Sequence, residues 1–80
     1  MDEVLRTVSG FSKGYDKTAT IMLLDTLNTI LMEYKEGSIS RYDAVARMSD
    51  ARNYTELPLK RGGFVKEDVE KYIDDLINTI

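Results

Sequence analysis

The sequence predicts a small all-α domain in which three main helices, over about residues 17–36, 39–52 and 66–80, form a bundle. Two observations favour this fold. Apolar residues recur at three- and four-residue intervals in the first and last of these segments, and glycines separate the segments from one another. With 80 residues the chain has room for one domain, and a domain of this size buries only about 60% of its unfolded surface. We therefore expect a single domain, residues 1–80, that gains stability by self-association.

The first helix carries the longest apolar stripe. Asp16 offers a side-chain acceptor at its N-cap, and Gly37 stands where a left-handed C-cap residue is favoured. Away from the stripe, Ile21, Met22 and Met32 widen the apolar surface, which indicates a second contact surface. The stripe itself consists of Leu23, Leu24, Leu27, Ile30, Leu31 and Tyr34.

The second helix is shorter and more basic. Ser40 followed by Asp43 has the spacing of a capping box and predicts its start, and we expect it to end near residue 52. A connector over residues 54–63 follows, in which Pro58 favours an extended conformation for the residue before it. Residues 1–12 suit either a short helix or a short strand, and the sequence does not decide between them.

The third helix has the clearest amphipathic pattern of the chain. Two acids, Glu67 and Asp68, favour its first turn through the helix dipole. Most of its charged residues lie opposite the apolar stripe, so the stripe is predicted to face the core. The stripe consists of Val69, Tyr72, Ile73, Leu76, Ile77 and Ile80.

The composition excludes several classes of function. The chain has no cysteine and no histidine, which removes disulfides, thiolate chemistry, soft-ligand zinc sites and any imidazole base. Its net charge of −3 gives no general attraction to phosphate backbones. We therefore expect a non-enzymatic module with no cofactor and no metal site.

The N-terminal residues are acidic where a secretory signal is basic, because Asp2 and Glu3 follow the first methionine. The longest apolar stretch is far shorter than the roughly 20 residues that cross a membrane. These features predict a cytoplasmic protein.

Residues 14–27 align with residues 63–76 as an internal repeat. Gly14-Tyr15 corresponds to Gly63-Phe64, and each pair precedes a helix whose third turn holds two apolar residues and an aspartate. Glycine permits a tight backbone conformation, and the aromatic residue can pack back onto the helix that it precedes. Both copies are therefore predicted to fix the direction in which a helix starts.

The second copy resembles the signature of the DivIVA family of bacterial cell-division and polar-localisation proteins. Val65 stands where that signature usually has aspartate, and in the first copy Ala19 and Thr20 replace its acid and its valine. The matching residues of the second copy are Gly63, Phe64, Asp68, Val69, Glu70, Tyr72, Ile73 and Asp74. Those of the first copy are Gly14, Tyr15, Asp16, Leu24 and Asp25.

The resemblance implies a dimeric, all-helical scaffolding module in a bacterial cytoplasm, possessing no enzymatic activity. In the membrane-targeting members of the family, the glycine loop presents an aromatic residue followed directly by a basic one to the lipid surface. Neither copy keeps that pair. Phe11 with Lys13, or Leu59 with Lys60 and Arg61, could replace it. A location at the inner face of the membrane is therefore an expectation beside the cytoplasmic one.

We take Phe11, Lys13, Lys60, Arg61 and Phe64 as the candidate contact surface. Cations beside a glycine backbone and an aromatic ring suit lipid head groups or an acidic protein partner, whose identity the sequence does not give. In the other interpretation, Phe64 is buried against its helix and the cations are merely solvated.

Leu24, Leu27, Leu31 and Tyr34 are the candidate residues for self-association. Their near 3-4 spacing on the first helix is typical of a helical seam between two copies of a chain, and it predicts a homodimer. In the other interpretation, the rest of the same chain covers this helix.

A small nucleic-acid-associated regulator is the alternative function. Arg41, Arg47 and Arg52 could form a basic face on the second helix, and two helices joined at a glycine allow a comparison with the helix-turn-helix. Asp43 and Asp50 interrupt that face, so we rank nucleic-acid binding below protein or membrane contact.

Overall fold

A computed structural model describes residues 5–80 and shows three helices packed as a small bundle beside a two-stranded antiparallel sheet. In chain order the elements are β1 (Lys13–Tyr15), α1 (Lys17–Lys35), α2 (Arg41–Tyr54), β2 (Leu59–Arg61) and α3 (Lys66–Asn78). The mostly helical small bundle agrees with the prediction. The expectation of an all-α fold needs correction, because the chain also contains the sheet.

The helix ends follow from local sequence. At the start of α1, the backbone N–H of Ala19 donates to the Asp16 carboxylate over 2.9 Å, and at the start of α2 the N–H of Asp43 donates to Ser40 Oγ over 3.1 Å. Gly37, just after α1, has a φ of 83°, a conformation that glycine adopts without strain. The predicted caps therefore define the ends of α1 and the start of α2.

The core lies where the apolar stripes of the three helices meet. Leu27, Met48 and Val69, one from each helix, are fully buried at its centre. Burial of this apolar surface is the main source of stability for so small a bundle. The buried cluster consists of Leu23, Leu24, Leu27, Ile30, Ala44, Met48, Val69 and Ile73.

Before the turn at Gly10 and Phe11, the described part of the N-terminal segment pairs with the second copy through an antiparallel bridge. The N–H of Val8 donates to the carbonyl of Gly63 over 2.8 Å, and the N–H of Val65 donates to the carbonyl of Arg6 over 2.8 Å. Thr7 and Phe64 form a bridge between these bonds. Residues 1–4, which include the first part of this segment, lie outside the described residues.

The connector before α3 contains β2, which pairs with β1 in antiparallel register. Lys13 lies opposite Arg61, and Tyr15 lies opposite Leu59. Each strand has only three residues, so neither shows the alternation over four or more residues by which a strand is recognised in a sequence. Pairing over a long sequence separation, rather than local pattern, produces the sheet.

The two glycine–aromatic copies pair with each other. The N–H of Tyr15 donates to the carbonyl of Phe64, and the N–H of Phe64 donates to the carbonyl of Tyr15, both over 2.9 Å. The residues that precede each copy pair with the other copy, since β2 lies against Tyr15 and Thr7 lies against Phe64. The two halves of the chain are thus arranged like the two subunits of a dimer in which the residues before each subunit's glycine–aromatic pair bind to the other subunit.

Replacing Thr20 with valine should stabilise the fold. Thr20 is fully buried, and its hydroxyl has no hydrogen-bond partner among residues 5–80, so the folded state carries the cost of a desolvated hydroxyl. The aligned residue of the second copy, Val69, is equally buried and apolar. We expect Thr20→Val to raise the free energy of unfolding by about 1 kcal/mol in urea titrations.

Thr29→Val is the matched control. Thr29 is exposed and its hydroxyl donates to the carbonyl of Asp25 over 2.9 Å, so its replacement should give no gain. A Thr20→Val protein no more stable than wild type would show that the buried hydroxyl costs nothing.

Candidate functional site

Three of the predicted contact residues meet at one end of the sheet, and we call this group, Phe11, Lys13 and Arg61, the basic tip. The Phe11 side chain is 86% exposed. The Arg61 guanidinium lies 5.5 Å from the centre of its ring, within cation–π range. Lys13 lies opposite Arg61 in the strand register. The tip therefore presents an exposed aromatic ring against one cation, Arg61, with a second cation, Lys13, on the paired strand.

Backbone turns on both sides hold the basic tip in place. On the first side, the N–H of Ser12 donates to the carbonyl of Ser9 over 3.0 Å and closes the turn that carries Phe11. On the second side, Gly62 adopts a φ of 72°, and its N–H donates to the carbonyl of Ser12 over 3.3 Å. These bonds tie the two turns together, so the tip has a defined backbone.

The other two predicted contact residues lie apart from the tip. The Lys60 ammonium is 3.3 Å from the Asp16 carboxylate. Phe64 is half-buried and packs against the core cluster, and the Lys17 ammonium lies 5.8 Å from the centre of its ring. Phe64 therefore packs against the core beside the helix that it precedes and is much less exposed than Phe11.

Two ion pairs, Arg6–Asp68 and Lys60–Asp16, join the two halves of the chain in a symmetrical way. The Arg6 guanidinium donates to both carboxylate oxygens of Asp68, over 2.8 and 3.0 Å, while Lys60 contacts Asp16. Each pair links the residues before one copy to the acid at the start of the other copy's helix. The hydrogen bond from the Ala19 backbone N–H lowers the pKa of the Asp16 carboxylate, and the neighbouring Lys60 ammonium lowers it further. Sequence reasoning did not include Arg6, because its partner is distant in the chain.

Stability should fall on acidification between about pH 4 and pH 2. Hydrogen bonds from the Arg6 side chain and backbone lower the pKa of Asp68 from 3.8 to about 2. Because the folded-state pKa lies below the unfolded one, the stabilisation is complete above pH 4 and disappears as pH falls through the folded value. Melting temperatures measured across this interval should decrease, and the decrease should be smaller in Asp68→Asn.

Asp50→Asn controls for the effect of removing any one surface carboxylate. Asp50 is exposed and belongs to no ion pair within the described range, so this variant should keep the wild-type pH profile. If Asp68→Asn and Asp50→Asn gave the same profile, the Arg6–Asp68 pair would not be the cause.

A cleft of about 490 Å³ lies at the other end of the sheet, beside Tyr15 and Pro58. The buried residues Leu23, Val69 and Ile73 lie at its floor, and Leu57 lines it as well. Its polar lining residues are Arg52, Asn53, Thr55, Glu56 and Glu70. Sequence reasoning did not find this cleft, because β1, the connector and all three helices form it together.

Tyr15 and Arg52 are fixed at this cleft by acidic partners. The Tyr15 hydroxyl donates to the Glu70 carboxylate over 2.8 Å. Burial, followed by this hydrogen bond, raises the pKa of the Tyr15 phenol. Arg52 is bonded to Asp74, so its charge is locally offset. Glu56 is exposed and has no ion pair within residues 5–80, so the cleft carries an excess of negative charge.

The predicted self-association residues lie in the interior of one chain. Leu24, Leu27 and Leu31 are buried, and Tyr34 is half-buried against the core. They form no open helical face in the single chain. The large apolar residues that α1 exposes are Ile21, Met22 and Met32, at 50%, 65% and 60%.

The basic face of α2 is partly neutralised. Arg47 lies 3.6 Å from Glu33 of α1, and Arg52 is bonded to Asp74 of α3. Such pairing lowers the positive potential that a phosphate backbone would meet. The geometry of α2 therefore gives the nucleic-acid alternative no support of its own.

No helix within residues 5–80 combines the length and the apolar character needed to cross a membrane. In the same residues, no three carboxylates are grouped so that they could hold a metal ion. No protein-family model, curated protein or solved structure matches this chain. The resemblance to the DivIVA family therefore rests on the motif residues alone.

Proposed function

We propose that this chain is a small non-enzymatic interaction and scaffolding module, similar to DivIVA proteins, whose basic tip docks on an acidic surface. The observation that carries the proposal is Phe11, which stands 86% exposed beneath the Arg61 guanidinium at the end of the sheet. An exposed aromatic ring gains free energy only when a partner covers it. The flanking cations select a partner of negative charge.

The strength of one such contact is limited. Burial of a phenylalanine side chain contributes roughly 1.5–3 kcal/mol, and each cation near an anionic membrane contributes about 1 kcal/mol. A single tip would therefore bind with a dissociation constant of about 1 mM or weaker. Multiple copies acting together would raise the affinity, which is why self-association belongs to the proposed function.

Binding to two anionic probes tests this function. The full chain is sedimented with vesicles of phosphatidylglycerol and phosphatidylcholine, and separately passed over immobilised polyglutamate. Wild type should bind at least one probe, and Phe11→Ala and Lys13→Glu should each bind it several-fold less. Neutral phosphatidylcholine vesicles should retain little protein.

Tyr42→Ala is the matched control for the aromatic ring, because Tyr42 is 82% exposed on α2, away from the tip. It should bind like wild type. Equal binding by wild type, Phe11→Ala and Lys13→Glu would overturn the proposal. Retardation of duplex DNA with a steep salt dependence, unaffected by the tip variants, would favour the nucleic-acid regulator instead.

A further inference from the structure

The basic tip and the cleft lie at opposite ends of the same pair of strands. Lys13 and Arg61 are opposite each other at one end, while Tyr15 at the other end lines the cleft beside Pro58. The strands between them are rigidly paired, so the tip of a chain does not reach the cleft of the same chain. A contact between these two surfaces requires two copies.

The two surfaces are complementary in size and polarity. The cleft, at about 490 Å³, has room for an aromatic side chain, and the half-buried Leu57 and the exposed Pro58 give its lining accessible apolar surface. Phe11 is the most exposed of the chain's large apolar residues within the described range, at 86%. Ring and cleft thus offer each other the apolar surface that each leaves open to water.

The charges around the ring and around the cleft are opposite. Arg61 carries positive charge against the Phe11 ring and Lys13 carries it on the paired strand, and neither has an ion-pair partner in the part of the chain that the structure describes. Glu56 and Glu70 carry negative charge at the cleft. Opposite potentials favour the docked orientation and disfavour tip against tip.

We infer that the acidic surface on which the basic tip docks is the cleft of a second copy of this chain, with Phe11 inserted between the connector and α3. The inference rests on the proposed function and names the partner of its tip. Because donor and acceptor surfaces differ, a pair of copies joined by one such contact still has one free tip and one free cleft. Such a contact is heterologous and generates rings or open chains of copies, not a closed pair alone.

Mass measurements on the full chain test this inference. By sedimentation velocity, the average mass of wild type should rise with protein concentration, and the rise should be weaker in high salt. Phe11→Ala should associate at least about tenfold more weakly, since the ring supplies most of the buried apolar surface. Tyr42→Ala should associate like wild type.

A charge exchange distinguishes docking in the cleft from other uses of the tip. Lys13→Glu and Glu56→Lys should each weaken association, because each places like charges across the contact. The double variant with both changes restores opposite charges and should recover association towards the wild-type level. An equimolar mixture of the two single variants should also associate, since the altered tip of one fits the altered cleft of the other.

Lys35→Glu controls for net charge, because Lys35 is exposed in the last turn of α1 and far along the chain from both surfaces. Wild type that stays monomeric at all concentrations, or that associates unchanged by Phe11→Ala or Glu56→Lys, would overturn the inference. Tip variants that lose binding to the anionic probes yet associate like wild type would overturn it too, while leaving the proposed function intact.

Discussion

Gly14→Ala should leave the chain largely unfolded at room temperature. A Cβ atom at this position would overlap the carbonyl of Phe64 and the backbone of Gly63. These are backbone atoms held by the reciprocal bonds between Tyr15 and Phe64, so no side-chain rotation can relieve the overlap. The expected cost exceeds about 4 kcal/mol, which is comparable to the whole stability of a domain of this size. Far-ultraviolet circular dichroism and urea titration measure it.

Gly63→Ala should have a similar effect, because its Cβ would overlap the carbonyl of Tyr15 from the other side. Gly37→Ala is the matched control. Gly37 has a positive φ but open space around its Cβ position, so its replacement should cost only about 1 kcal/mol. If Gly14→Ala folded as stably as Gly37→Ala, the close approach of the two copies would not be essential to the fold.

The sequence predicts the helices well because each helix is encoded locally. The stripe from Leu23 to Tyr34 and the caps at Asp16 and Ser40 need no information from elsewhere in the chain. The sheet is different. Its strands are three residues long, and their register depends on the close approach of Gly14 to the second copy. Two helices separate these residues in the sequence, so no local pattern records the pairing.

The candidate site shows the same division. Phe11, Lys13 and Arg61 can be selected from the sequence as an aromatic residue and cations near glycines, but their meeting at one point depends on the strand register. Phe64 has the same local signature and yet packs against the core. The cleft has no local signature at all, because its residues come from α1, α2, the connector and α3. Which aromatic residue is exposed to solvent therefore depends on how the strands pair in the folded chain and not on the local motif.

Leu27→Ala should strongly destabilise the folded chain. Leu27 is fully buried between the three helices, so truncation removes apolar contacts and leaves a cavity that a core of this density cannot fill. Replacements of this kind cost about 2–5 kcal/mol, which for a domain of this length lowers the melting temperature by roughly 10–30 °C. Differential scanning calorimetry of wild type and variant measures the change.

This variant also separates the two interpretations of the α1 stripe. If Leu27 belongs to the core of one chain, the loss of stability relative to wild type is the same at low and high protein concentration. If Leu27 lies in a seam between copies, mass action makes the loss depend on concentration, and the fold of the single chain is spared. Met22→Ala, on the exposed side of the same helix, should change the melting temperature little in either case. A loss of stability for Leu27→Ala that depends on protein concentration would therefore contradict the structure. It would show instead that the α1 stripe forms the interface between two copies.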